Sequence, residues 1–79
     1  MRLPKRLRKL GGDWLELQFR KRWALINGKP APESRPALED EAGWLAVARY
    51  NDWAAGELKK INAGEIPQWL KNQEPGVLR

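Results

Sequence analysis

Between residues 29 and 36 the chain reads Lys29-Pro30-Ala31-Pro32-Glu33-Ser34-Arg35-Pro36, with three prolines and almost nothing apolar. Proline removes a backbone donor and fixes φ, so this stretch supplies neither a helix interior nor a strand able to pair with its neighbours. The consequence falls on the segment before it. There Leu15, Leu17 and Phe19 alternate as a strand would, and Asn27-Gly28 is a favoured hairpin turn. A hairpin needs a return strand, and the proline run is not one. Helix is what remains for residues 13–27. Asp13 and Glu16 stand at the spacing of a capping box, and Asn27-Gly28 is a stop.

This helix is apolar on two sides. At about 100° per residue Leu15, Phe19, Trp23 and Ile26 form one stripe. Trp14, Leu17, Ala24 and Leu25 form another, beside Lys21. A helix sandwiched between two layers buries both. A helix covered on one side leaves the Trp14 stripe open to a partner.

The same logic outlines the other elements. Leu3, Leu7 and Leu10 recur at i, i+4, i+7 with Pro4 near the start and Gly11-Gly12 at the end, predicting a short helix over 4–10. It lies within a basic N-terminal segment, residues 1–12. After the proline-rich linker of residues 29–37, Pro36 is read as opening a helix over 37–62, with Glu39, Asp40 and Glu41 at its positive end. Its stripe is Trp44, Val47, Tyr50, Ala54, Leu58 and Ile61, and Ala42, Ala46, Ala48 and Ala55 would permit a close helix neighbour. Asn51-Asp52 and Gly56 predict a kink or restart over 51–56. Asn62-Ala63-Gly64 ends it, Ile66-Pro67 starts a last short helix over 67–73, and residues 74–79 read as a frayed tail. The expected fold is all-α, a small single-domain bundle spanning residues 1–79. Its predicted core is Leu15, Phe19, Trp23, Ile26, Trp44, Val47, Leu58 and Ile61.

Composition narrows the chemistry. The 79 residues contain no cysteine and no histidine, which leaves no disulfide, no Cys/His zinc site and no imidazole for acid–base work. There is no threonine, and the single serine, Ser34, sits in the proline run away from any evident base. Glu39, Asp40 and Glu41 are consecutive and do not share a helix face, so dipole complementarity explains them better than a divalent cation does. The reading is a protein without enzymatic activity, catalytic residues, cofactor or metal. The N-terminus lacks an apolar signal core and no run reaches the ~20 apolar residues of a bilayer span, so cytoplasmic residence without membrane association is expected.

Charge then separates the halves. Residues 1–29 carry nine basic side chains against Asp13 and Glu16, a net of +7, while residues 30–79 carry six basic and eight acidic, a net of −2. Five tryptophans accompany this basic front, and tryptophan and arginine are favoured interface anchors. The expected role is protein binding, as an inhibitor or adaptor of the kind phages use against host machinery, docking on an acidic surface. The residues read as partner-binding are Lys5, Arg6, Arg8, Lys9, Trp14, Arg20, Lys21, Arg22 and Trp53. An alternative makes the same basic half a contact for DNA or RNA phosphates. A third makes the spare apolar stripe the interface of a homo-oligomer.

Overall fold

Among the described residues four helices form in chain order: α1 (Lys5–Leu10), α2 (Gly12–Asn27), α3 (Glu41–Asn62) and α4 (Gln68–Lys71). The computed structural model describes residues 5–74, with the side chain of Arg6 outside that description. Leu3 and Pro4 of the expected first helix also lie outside it, as do residues 75–79 of the expected tail. No strand occurs among the described residues, so the chain is all-α.

The α1–α2 junction is a single residue. Gly11 adopts φ 89°, a left-handed conformation that side chains resist, and the chain passes straight from one helix into the next. The capping box expected at Asp13 and Glu16 is therefore not made. Gly11 is the N-cap and provides no side-chain cap. Asp13 keeps only its place in the positive first turn, and Glu16 is used elsewhere. The expected stop does form. Gly28 is left-handed and its N–H donates to the Ala24 carbonyl at 2.8 Å, while the Asn27 amide donates to the Trp23 carbonyl at 2.9 Å.

α3 begins later than residue 37 because Asp40, not Pro36, sets its first turn. The Asp40 carboxylate accepts from the Gly43 N–H at 2.9 Å. A Cβ at position 43 would overlap that carboxylate and crowd Pro36, so the cap needs the glycine. α3 runs through 51–56 as one continuous helix, so it does not restart there. Asn51, Asp52 and Gly56 are exposed, and the buried stripe Tyr50, Ala54, Ile61 runs unbroken beside them. Burial of that stripe outweighs the cost of about 1 kcal/mol for one helical glycine.

The core consists of Leu7, Leu15, Phe19, Tyr50, Ala54, Ile61 and Leu70, drawn from all four helices. Of the expected core, Leu15, Phe19 and Ile61 are buried, and Trp23, Val47 and Leu58 are half-buried. Ile26 and Trp44 are not core residues, being 56% and 39% exposed. Ile26 lies almost a turn beyond Trp23, the last α2 ring in contact with α3. Trp44 instead bonds its own approach to the helix, donating from Nε1 to the Ala37 carbonyl at 2.9 Å.

Aromatic rings hold the crossing of α2 and α3 together. Trp53 is their hub, with ring centroids 5.6 Å from Phe19, 5.7 Å from Trp23, 6.1 Å from Tyr50 and 6.2 Å from Trp69 of α4. Its position three residues after Tyr50 puts it on the flank of the buried stripe nearest α4. Trp53, read from the sequence as a partner-binding residue, is half-buried and packed against the core here. Rings of this size space two helices apart, and the small residues Ala42, Ala48 and Ala55 are exposed instead of admitting a close neighbour.

Candidate docking face on α2 and α4

Among the described residues a concavity lies on each side of α2. The larger, about 580 Å³, lies between α2, α3 and the proline-rich linker, with Leu15, Phe19, Tyr50 and Leu58 among its lining residues. Its polar edge is a fixed network. The Tyr50 hydroxyl donates to Glu16 Oε2 at 2.9 Å, and Arg20 Nη1 stands 4.0 Å from the same oxygen. Arg20 Nη2 donates to the carbonyls of Pro32 at 3.0 Å and Ala31 at 3.3 Å, and the guanidinium lies 5.9 Å from the centre of the Tyr50 ring. Burial above all, then the Glu16 carboxylate, raises the Tyr50 pKa, with Arg20 opposing. Tyr50 is consequently held as a neutral donor, and Arg20 ties the linker to α2. Both act as structural groups at this edge.

The opposite side of α2 is different in kind. Leu17, Lys21 and Leu25 follow one another at four-residue spacing, and all three side chains face water, the leucines at 49% and 73% exposure. Beside them, between α2 and the segment of α4, is a cleft of about 200 Å³ lined by Gln18, Lys21, Arg22, Leu25, Trp69 and Gln73. The Arg22 guanidinium covers the Trp69 ring at 5.7 Å from its centroid. The spare stripe inferred from periodicity is thus open at Leu17 and Leu25.

The residues singled out from sequence separate into groups. Lys5, Arg8 and Lys9 are exposed on α1, whose Leu7 is buried and whose Leu10 packs against the core. Lys21 is exposed and Arg22 half-buried, both at the α2–α4 cleft. Trp14 is half-buried and packed against the core. Arg20 is committed to the linker carbonyls, and Trp53 to the ring cluster. The side chain of Arg6 is outside the described residues. Periodicity missed Gln18 and Trp69 as parts of this face. Gln18 carried a usable signal, a polar residue set between Leu17 and Phe19 and one turn before Arg22. Trp69 did not, because only the docking of α4 brings it there.

Among the described residues no group of three or more acidic side chains is placed to hold a metal ion, and no helix is long and apolar enough to cross a membrane. No protein-family model, curated protein or solved structure matches this chain.

Proposed function

We propose that this chain is a non-enzymatic binding protein, an inhibitor or adaptor that docks on an acidic protein surface through the outer face of α2. The observation that carries the reading is the pair of exposed leucines, Leu17 and Leu25, one turn either side of Lys21. Burying a leucine contributes about 1.5–3 kcal/mol, whereas an exposed ion pair contributes about 1 kcal/mol or less. In this reading the leucines provide affinity, and the cations Lys5, Arg8, Lys9, Lys21 and Arg22 steer encounter toward acidic targets. The anchor role inferred for Trp53 passes to these leucines, since the Trp53 ring is already spent on the core.

Capture from nuclease-treated lysate tests the proposal, using the wild-type chain beside Leu25→Asp. A specific protein retained by the wild type and lost by the folded variant is the expected result. Retention of nucleic acid alone, or of the same protein by both chains, would reject it. The exposed cations of α1 favour DNA or RNA as the second reading, and nuclease treatment separates the two.

A further inference from the structure

The α2–α4 cleft has a chemistry of its own. Two cations line it, Lys21 and Arg22, with two amides, Gln18 and Gln73, and no carboxylate. Gln18 is buried to 6% exposure, and it is a polar residue on a helix face where a buried neighbour would ordinarily be apolar. The Nε–H of Arg22 is buried without a hydrogen-bond partner. A buried donor left unpaired is costly, so an acceptor that meets it as the guanidinium turns from the Trp69 ring toward the cleft gains a bond with no protein partner to displace. Gln18 and Arg22 are four residues apart and stack on one side of α2, while Lys21 and Leu25 form the adjoining row.

We propose, resting on the docking reading above, that this cleft receives one acidic side chain of the partner protein. Its carboxylate would be held by Arg22, Lys21 and the Gln18 amide, and its flanking apolar groups would lie on Leu17 and Leu25. A carboxylate is acceptor-only and flat, matching a donor-rich lining that includes a guanidinium fork. The volume equals about seven waters, enough for one such side chain. A phosphate offers similar oxygens, but a sugar–phosphate backbone brings no aliphatic surface to the two leucines. Nor is the Trp69 ring free for a base. Trp53 stacks on it at 6.2 Å and 25°, and Arg22 covers it.

The test is a titration of the full-length, nitrogen-labelled chain with an end-blocked peptide alternating leucine and glutamate, read at the Arg22 Nε–H and the Gln18 side-chain amide by NMR. Both signals should shift saturably. The same peptide with glutamine for glutamate should bind about tenfold more weakly or worse. Arg22→Lys, which keeps the charge and loses the fork, should weaken the glutamate peptide by about the same factor. Gln18→Glu places a carboxylate beside Arg22 and should abolish peptide binding while the backbone amide pattern persists. If that variant unfolds, the glutamate and glutamine peptides on the wild type still decide. Equal binding of the two peptides overturns the proposal, as does undiminished binding by folded Gln18→Glu. A larger response of the same signals to oligothymidylate overturns it in favour of nucleic acid. Shifts confined to the Leu17 and Leu25 signals reject the carboxylate cleft and leave the docking face standing.

Discussion

The two faces of α2 carry comparable apolar side chains and meet different fates. Toward α3, Leu15 and Phe19 are buried and Trp23 joins a cluster of rings. Away from it, Leu17 and Leu25 stand in water. Hydrophobicity does not separate them, since leucine occurs on both. What separates them is supply. α3 covers one side and α4 is only Gln68–Lys71, so a four-residue helix shields little more than the Trp69 end of the other side. A helix with apolar side chains on two sides needs cover on both, and among the described residues only one side of α2 is fully covered, at Leu15 and Phe19.

The strongest test of that contrast is truncation at the ring crossing. Phe19→Ala should destabilise by about 3–5 kcal/mol in urea melts, because Phe19 is buried and its ring meets both Trp53 and Trp69. A loss under about 1 kcal/mol would show that the crossing does not hold the fold. A smaller effect belongs to the start of α3, which lies outside the crossing. Asp40→Ala removes the cap on Gly43 and should cost about 1 kcal/mol. Hydrogen exchange should place that loss in the first turns of α3, near the exposed Trp44 and Leu45, with the Tyr50–Ile61 stretch unaffected. Uniformly faster exchange along the helix would contradict a locally held N-terminal half.

Tyr50→Phe should cost about 0.5–1.5 kcal/mol near neutral pH, through the lost bond to Glu16. Its pH dependence has a defined sign. The folded Tyr50 pKa is raised, so the unfolded chain loses its phenolic proton first, near its ordinary value of about 10. The contribution of the neutral hydroxyl is therefore complete below about pH 10 and declines as pH climbs from there toward the folded pKa. The stability gap between wild type and Tyr50→Phe should narrow in alkaline melts. A gap that widens above pH 10 would refute the burial argument. The smallest stability effect is expected on the outer face. Leu25→Ser should alter stability by less than about 0.5 kcal/mol. A thermal melt showing a core-sized loss would mean that this face is covered after all.

Punctuation was legible in the residues themselves. Pro30, Pro32 and Pro36 exclude a strand, Gly28 closes α2, and the 3.6-residue recurrence of Tyr50, Ala54 and Ile61 marks the buried side of α3. These are local matters of backbone freedom and periodicity, and any tertiary arrangement must respect them. The two apolar stripes of α2 were equally visible, along with the cationic residues beside them. Which stripe is buried was not, because periodicity names faces and not their neighbours. Ile26 and Trp44 have the phase of core residues, yet the crossing ends before either. Trp53 sits off the centre of its stripe and still becomes the hub, because α4 returns Trp69 to meet it. Arg20 and Arg22 are two residues apart on one helix, but one is fastened to linker carbonyls and the other is laid over an indole. Local sequence sets which residues form helices and which sides of them are apolar. Only packing among α2, α3, α4 and the linker decides which side is covered, since burial depends on what the rest of the chain can reach.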